Sequence, residues 1–493
     1  MNERDRFDEQ LFELMDAAPP PANAAEVNPW HTPLRRIAWG MALTWFTLNF
    51  WYWQYILPTV GVILAYLGFR SLRTSGRAFR AAWVLSVAEL LWQAAGLMLE
   101  ATPLLRNGAA GVALGLAHTV LRIAQMLLLR AGLRGVYAAA EVEPAGDPLR
   151  GAVIWQIVCL ALALTPLAQS WLVGLPVLIA FFVLCRAMLH LSDGMERAGY
   201  CLAPAPVRTS GRACGIAYLA VCAALVVGGS LWASRPPLDA VPLAAAGEQD
   251  TRQALQALGL PADVLGDLAD EHVRALAGAL YVHYGQDVLY FGEEYSVETL
   301  YDGANAPETP PRTPERHEGQ DTLLCTTYYI ELPQYRMAAL TRFEWLQGGA
   351  YWGDALTVTE DTHNDGCTLV GGALLYERNG TDFTAPMPDL ARRSETVANP
   401  FFGVSADPRM TGRVSFPLGA ARQRGYVLYI MQLEAERGNG GTIVDYYHAP
   451  QPVQLPYRTP LEKTSAWNGE NNQQHFTNFQ TIFGRAWEAA QDG

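Results

Sequence analysis

The sequence predicts a membrane all-α helical bundle of about seven transmembrane helices, followed by a mainly β, sandwich-like extracytoplasmic domain with a short helical lead-in. Three observations carry this prediction. Long apolar segments are confined to residues 35–233. The arginines that flank these segments fall almost all on one side of a membrane when the segments are threaded through it. Beyond residue 280 the chain changes to short runs rich in Val, Ile, Thr and Tyr, each bounded by turn residues.

Charge is divided unevenly between the two halves. Residues 1–233 hold 17 basic and 14 acidic side chains and residues 234–493 hold 18 and 34, which together give the net charge of −13. The acidic second half argues against nucleic acid as a partner, because a phosphate backbone is bound through positive charge. The chain contains one lysine, Lys463. We attribute this scarcity to genomic base composition rather than to function.

The first apolar run, residues 37–69, has the length of two membrane crossings. Its 33 residues would extend about 50 Å as one helix, whereas the hydrocarbon core of a bilayer is roughly 30 Å thick. The aromatic group Trp51–Tyr55 and Pro58 lie at its midpoint, and such side chains prefer the headgroup level. We therefore expect a helical hairpin that turns there. Residues 1–34 before it are predicted to be a cytoplasmic segment with an amphipathic stretch and a Pro-rich linker.

Five further spans complete the predicted bundle of residues 35–233. They are expected near 81–99, 109–130, 151–168, 171–189 and 213–233. Seven crossings put the arginine-rich loops in the cytoplasm and leave only Arg106 in the outer loops. The prediction is a multi-pass cell-membrane protein in a lipid bilayer, with a cytoplasmic amino terminus and an extracytoplasmic carboxyl-terminal domain.

Two of these spans carry polar side chains. Glu89 and Gln93 share a face of the third span, and His118, Arg122 and Gln125 share a face of the fourth. Counting about 1.5 Å per residue from the inner ends puts Glu89 level with Arg122, so the two can pair. Two interpretations stay open: a proton or ion relay in a transporter or channel component, and a structural clasp that joins two helices.

The second half is predicted to fold as a separate domain. Residues 234–280 form a linker and a helical lead-in of two short helices, interrupted at Gly259 and Pro261. Residues 281–493 form the β-rich domain, with a tight two-residue hairpin turn at Asn379–Gly380. Its strands are expected near 287–300, 322–332, 335–346, 355–360, 367–377, 411–417, 425–434 and 442–448. Their number and spacing favour a β-sandwich.

Two features of the outer domain are candidates for a specific role. Cys325 and Cys367 are its only cysteines, and an oxidising compartment would allow them to form a disulfide. The loop QGGAYWGDA places Tyr351 and Trp352 between glycines, with Asp354 beside them as a hydrogen-bond acceptor. These three residues are a candidate binding site for a sugar ring or a peptide. In the alternative, the two aromatic rings close one end of the sandwich.

Motifs for catalysis were sought without success. The chain has no G-x-x-x-x-G-K, H-E-x-x-H, G-x-S-x-G or S-x-x-K pattern, and we expect no cofactor, no metal site and no catalytic residue. A non-enzymatic binding, sensing or envelope-interaction role is therefore favoured. An envelope hydrolase is the alternative, with a carboxylate pair drawn from Glu293, Glu294 and Asp354.

The layout of several spans followed by an acidic, strand-rich carboxyl-terminal half resembles that of uncharacterised bacterial multi-span membrane proteins with an extracytoplasmic C-terminal β-rich domain. The resemblance covers the whole chain and is architectural. The large, acidic and motif-free second half favours a bundle that anchors a displayed domain, whose partner would be an envelope glycan, a peptide or a membrane protein. No functional residue is carried over from the resemblance.

Overall fold

The computed structural model divides into two compact units, Met1–Gly228 and Gly229–Gly493, each described by itself. The structure describes residues 28–45, 52–105, 108–144, 146–165, 170–195, 205, 207–235, 237–292, 296–303, 310–314, 319–360, 367–399, 403–433, 439–464 and 475–483. The predicted amphipathic stretch in residues 1–27 lies outside them.

The first unit is helical throughout its described length. Its helices are α1 His31–Trp45, α2 Trp53–Leu72, α3 Arg77–Glu100, α4 Gly108–Ala139, α5 Pro148–Ala163, α6 Trp171–Leu189, the short α7 Leu191–Met195 and α8 Gly211–Ser234, whose last turn belongs to the second unit. A 3₁₀ turn, Pro103–Leu105, follows α3. Among the described residues, five helical segments are long and apolar enough to cross a membrane, namely Trp53–Leu72, Arg77–Glu100, Ala113–Ala139, Trp171–Met195 and Gly211–Ser234.

Two helices at predicted spans are shorter than a bilayer core. Helices α1 and α5 have 15 and 16 residues, which correspond to about 23 and 24 Å. The predicted span 151–168 ends as a helix at Ala163. The hairpin turn was predicted at Trp51–Tyr55 and Pro58, but Trp53, Tyr55 and Pro58 lie within α2, and residues 46–51 between α1 and α2 lie outside the described residues.

Helices α1 and α2 pack in close contact because glycines remove side chains from their interface. A methyl group on Gly40 would lie 2.6 Å from the backbone nitrogen of Ala65, and one on Gly61 would lie 2.7 Å from the carbonyl oxygen of Gly40. Small residues at such positions let two helix backbones approach, as in membrane proteins. The two halves of the apolar run 37–69 therefore form a tight helix pair.

The helices of the first unit carry many large apolar side chains on their outer surface. Leu91, Leu164, Trp171 and Ile216 are each at least two-thirds exposed. A water-soluble bundle turns such side chains inward, whereas helices in lipid can turn them outward.

The second unit is built on two antiparallel sheets. The larger sheet has eight strands in the order β1-β8-β7-β11-β5-β4-β2-β3, and the smaller has five in the order β13-β12-β6-β10-β9. The strands are β1 Val241–Pro242, β2 Tyr281–Phe291, β3 Ser296–Asp302, β4 Asp321–Leu332, β5 Arg336–Gln347, β6 Asp354–Glu360, β7 Cys367–Arg378, β8 Thr381–Pro386, β9 Ala391–Asn399, β10 Gly403–Val414, β11 Ala421–Gln432, β12 Asn439–Tyr447 and β13 His475–Phe483.

Three layers enclose two hydrophobic cores. Residues of both sheets, such as Phe343 and Leu356, form the core between them, so the sheets pack as a sandwich. The other face of the larger sheet packs against three helices, α9 Gln249–Ala257, α10 Ala262–Asp267 and α11 Asp270–Ala275. The lead-in was predicted as two helices. The chain instead breaks again after α10, because Leu268 and Ala269 are extended and Asp270 starts a new turn.

Several strands differ from their prediction. The expected strand 287–300 is two antiparallel strands, β2 and β3, joined through residues 293–295, which lie outside the description. Strands β1, β8, β9 and β13 were not predicted. Strand β9 has the polar sequence ARRSETVAN and both β9 and β13 are edges of the smaller sheet, where alternation between apolar and polar residues is weak. The predicted Asn379–Gly380 turn is confirmed, with φ of 53° and 75°.

The predicted disulfide between Cys325 and Cys367 is wrong. Neither cysteine is in a disulfide, and both side chains are buried. Two strands, β5 and β11, separate β4 from β7, so three strand spacings, roughly 14 Å, lie between the cysteines. A disulfide requires Cα atoms within about 7 Å. The number of residues between the two cysteines does not indicate the strand order, in which β4 and β7 are not neighbours.

Candidate functional site

The polar residues of α3 and α4 meet inside the first unit. Glu89 is buried, and its Oε1 accepts a hydrogen bond of 3.2 Å from Nε of Arg122. The same guanidinium donates through Nη1 to the carbonyl oxygen of Thr44 on α1, at 2.9 Å. Nε2 of His118 lies 3.6 Å from the same carboxylate oxygen. The structure therefore brings Glu89, His118 and Arg122 together and ties them to a third helix.

The two glutamines of the predicted cluster have different surroundings. Gln93 donates to the hydroxyl of Thr59 on α2 at 3.2 Å, away from the carboxylate. Gln125 is buried, and its amide nitrogen has no acceptor among the described residues. Together with Glu89 and Arg122 it lines a cavity of about 10 Å³. That volume holds about one water molecule, which needs two to four polar partners.

The loop with Tyr351 and Trp352 is bonded to the end of α8 in the second unit. The guanidinium of Arg235 lies 4.1 Å from the centre of the Trp352 ring, a cation–π contact. Gln454 donates to the carbonyl oxygen of Trp352 at 2.7 Å. Both aromatic side chains are half-buried. The loop is thus a connection between segments of the domain, with one aromatic face covered by an arginine.

Asp354 does not serve as an acceptor for an outside ligand. Its side chain is fully buried. One carboxylate oxygen accepts from the Tyr446 hydroxyl at 2.9 Å and is 3.0 Å from Nδ1 of His448, and the other accepts from the backbone N–H of Ala449 at 2.9 Å. The predicted role as a ligand acceptor is therefore corrected, because the carboxylate is satisfied within the protein.

His448 lies between two carboxylates. Nδ1 faces Asp354, and Nε2 is 3.2 Å from Oδ2 of Asp321, whose side chain reaches the surface. The rings of Phe291 and Trp345 pack against the imidazole, with ring centres 5.0 and 4.8 Å from its centre. Burial lowers the pKa of His448, but the charge of Asp354 and the hydrogen bonds to both carboxylates more than offset it, and the pKa rises to about 9. Both ring nitrogens then donate, as an imidazolium does.

Lys463 completes this buried polar network. It lies on the short helix α12, Pro460–Thr464, and its ammonium donates to the carbonyl oxygen of Gly353 next to the Tyr447 ring. Burial lowers the pKa of Lys463 to about 7, although the charge of Asp354 opposes this shift. Base composition was our explanation for the scarcity of lysine, and no role was predicted for this single one. Its uniqueness in a chain rich in arginine was a signal that one position requires a compact ammonium.

Sequence reasoning also missed Asp321, Tyr446 and His448. Each lies at a strand end or just beyond it, and no spacing in the sequence joins them. Together with Asp354 and Lys463 they form what is here called the joint network. It connects the beginnings of β4 and β6 with the end of β12. Glu293 and Glu294, the other proposed hydrolase carboxylates, lie outside the described residues. Among the described residues, no group of three or more His, Cys, Asp or Glu side chains has the geometry of a metal site.

Comparisons with known proteins give no family. No protein-family model and no curated protein matches the chain. The solved structures that resemble it include AvmM, which catalyses macrocyclization in alchivemycin A biosynthesis, with 7% identity and a TM-score of 0.16 over 31% of this chain and 82% of that chain. A heparinase III with methylated lysines has 8% identity and a TM-score of 0.15 over 87% of this chain and 84% of that chain. At these scores neither carries an argument about fold or activity.

Proposed function

We propose that this chain is a polytopic membrane protein whose bundle displays the second unit outside the cytoplasm as a non-enzymatic binding, sensing or envelope-interaction module. Helices α1 to α6 and α8 are the seven proposed crossings, of which α1 and α5 are the shortest. The exposed apolar side chains of the first unit support the membrane placement, since lipid is the solvent in which an outward apolar face costs nothing.

The observation that carries the display role is the fixed attachment of the β domain to the end of α8. The Arg413 guanidinium donates to the carbonyl oxygen of Ala233 at 2.9 Å. The Ser415 hydroxyl donates to the carbonyl oxygen of Ser234 at 3.1 Å. These carbonyls belong to the last turn of the helix, where no further backbone N–H donates to them. The β domain is therefore hydrogen-bonded to the last turn of this helix, which suits a module that presents a surface to an envelope glycan, a peptide or a membrane protein partner.

A sidedness measurement tests this proposal. A specific protease site inserted at residues 310–314 of the full-length protein should be cut when protease is added to intact spheroplasts. The same site inserted at residues 141–146, a loop that we place in the cytoplasm, should be cut only after permeabilisation. Cleavage at residues 141–146 but not at 310–314 in intact spheroplasts would mean that the orientation is the reverse of the one proposed. Cleavage of both sites in intact spheroplasts would contradict the span count.

The polar cluster of α3 and α4 supports a second candidate function, transport of a proton or small ion. The specific observation is the one-water cavity beside Glu89, next to a histidine ring nitrogen that has no hydrogen-bond partner among the described residues. Ionisable groups at such depth are costly and commonly mark ion paths.

Reconstituted proteoliposomes with a pH-sensitive dye inside provide the test for transport. The wild-type protein should dissipate an imposed proton gradient, and Glu89→Gln should abolish this flux while the protein remains folded. Glu100→Gln changes an exposed carboxylate at the end of the same helix and serves as the control. Equal flux through wild-type protein, Glu89→Gln and empty vesicles would leave the cluster as a structural clasp.

A further inference from the structure

We infer that the end of the second unit beside α8 lies in the headgroup layer of the outer leaflet, so that lipid is its partner. This surface, the α8-proximal face, consists of residues 346–353, which are the end of β5 and the loop after it, and of the loops at residues 415–420 and 451–457. The inference rests on the membrane placement of α8 proposed above. Two observations support it. The length of α8 gives a measure of depth, and these loops contact the last turn of that helix.

Helix α8 provides a scale for depth. Its 24 residues extend about 36 Å, some 6 Å more than a hydrocarbon core of roughly 30 Å. Arg212 lies at its beginning and Trp232 near its end, which are residue types found at the two membrane interfaces. With Arg212 at the inner interface, Ser230 lies within a few ångströms of the outer edge of the hydrocarbon.

The loop at residues 451–457 reaches back along the helix to this level. The hydroxyl of Ser230 donates to the carbonyl oxygen of Gln454 at 3.1 Å, and the backbone N–H of Gln454 lies 3.2 Å from the same hydroxyl oxygen. Ser230 precedes the helix end at Ser234 by about one turn, or 6 Å. The backbone of Gln454 therefore lies on the membrane side of the helix end.

The two other loops lie beside the helix end itself. Ser415 bonds to the carbonyl oxygen of Ser234, and the next residue, Phe416, donates from its backbone to Ala350 at 2.8 Å. Residues 346–353 and the turn at residues 417–420 are therefore neighbours at this end of the domain. All three loops converge on the last turn of one helix.

The side chains at the α8-proximal face suit the interface of a bilayer. Leu418 is 57% exposed, Leu346 47% and Val453 37%, and Trp232 on the helix is 59% exposed. The Arg235 guanidinium, just beyond the end of the helix, lies over the Trp352 ring. Apolar side chains together with Trp and Arg are the composition of a segment that lies at the boundary of headgroups and acyl chains. This assigns Trp352 to lipid contact rather than to a sugar or peptide.

Site-specific photo-crosslinking of the full-length protein tests the inference. A benzophenone amino acid replaces Leu346 or Leu418, and the protein is reconstituted in vesicles of phosphatidylethanolamine and phosphatidylglycerol with a radiolabelled tracer lipid. Position 335 is the matched control, because Tyr335 is also exposed and precedes β5, whereas Leu346 lies at the other end of this 12-residue strand. Position 216, an exposed residue within α8, reports the span itself.

Lipid adducts are expected at positions 346, 418 and 216, with yields at 346 and 418 at least roughly five-fold above that at 335. Adducts at 216 but not at 346 or 418 would overturn the inference while leaving α8 in the membrane. Adducts to another polypeptide at 346 and 418 would make the surface a protein interface and would equally overturn it. Absence of adducts at 216 would instead contradict the membrane span. All four side chains are exposed, so their replacement does not disturb a core.

Discussion

At the scale of single residues, Asp354 is the centre of the joint network. Its carboxylate is fully buried and is surrounded by the Tyr446 hydroxyl, the His448 ring and the Ala449 N–H. A buried charge in such a setting stabilises the fold only while its partners are in place, because the uncompensated partner retains its desolvation cost.

The variant Asp354→Asn should therefore lower the free energy of unfolding by about 3 kcal/mol, since it leaves the His448 imidazolium with one carboxylate. For a domain of this size the loss corresponds to a fall in Tm of roughly 6–12 °C. Differential scanning fluorimetry of the detergent-solubilised protein measures it. Asp239→Asn, an exposed carboxylate in the same unit, is the matched control. Equal melting of the two variants would show that the network does not stabilise the domain.

The same network should make stability depend on pH through His448. Its pKa in the folded protein is about 9, above the ordinary value of 6.5. The folded state thus binds the proton more tightly, and this contribution is fully present below pH 6.5 and is lost as pH rises through 9. A shift of this size corresponds to about 3 kcal/mol.

His448→Gln should remove that pH dependence. Because the pKa of Lys463 is lowered, its contribution rises from pH 7 upward and opposes that of His448, so the comparison is made in a Lys463→Met background. In that background the free energy of unfolding should fall between pH 6.5 and 9 when His448 is present. It should fall much less over the same range in the His448→Gln variant. Parallel pH profiles would mean that the histidine is not held as an imidazolium.

At the scale of elements, the α1–α2 pair depends on glycines. Gly61→Ala should lower the Tm of the solubilised protein by several degrees, because the new methyl group would lie 2.6 Å from the Thr44 side chain and 2.7 Å from the Gly40 carbonyl oxygen. Gly115→Ala on α4 is the control, since nothing lies within 4 Å of the added carbon. That change should be neutral or slightly stabilising, as alanine favours helix over glycine. A neutral Gly61→Ala would indicate that α1 and α2 separate readily.

The pairing of α3 with α4 depends on opposite charges. Glu89→Gln leaves Arg122 buried with the carbonyl oxygen of Thr44 as its remaining partner, and should destabilise the bundle by about 3 kcal/mol. The double variant Glu89→Gln with Arg122→Gln should recover much of this loss, because neither group is then charged. Thermal unfolding of the three proteins measures the coupling. Additive losses in the double variant would exclude a direct interaction.

At the scale of the whole molecule, the two cysteines of the second unit belong to different parts of one sheet. Burial raises the pKa of the Cys325 thiol, and the other thiol contacts the Met410 sulfur at 3.8 Å. Protein extracted from an oxidising compartment should contain both thiols in reduced form, detectable by mass spectrometry after alkylation under denaturing conditions. Alkylation without denaturant should label neither. A bridge between Cys325 and Cys367 would require a different strand order in the sheet.

Elements with strong periodicity could be predicted from the sequence, and elements without it could not. The apolar helices of the first half and the Asn379–Gly380 turn depend on local chemistry, so they are readable from neighbouring residues. Strand β9 is polar and is held in the sheet by its pairing with β10. No local pattern marks such a strand, because its stability comes from hydrogen bonds to a distant segment.

The same division holds for the candidate sites. Glu89 and Arg122 were expected to pair because membrane helices are straight rods of known rise, so depth follows from counting residues. Asp354 was singled out, but its role was misread, because burial and the approach of His448 depend on strands that are nearly a hundred residues apart along the chain.

By itself, the sequence determined the helical first half and the β-rich second half. It also determined that Glu89 and Arg122 lie at the same height along their helices. These properties follow from composition and from the period of each element. The tertiary structure alone decided the strand order, the separation of Cys325 from Cys367, the burial of Asp354 beside His448, and the bonding of Gln454 to Ser230. Each of these depends on contacts between residues remote in the chain, where the free energy of packing, not local preference, selects the partner.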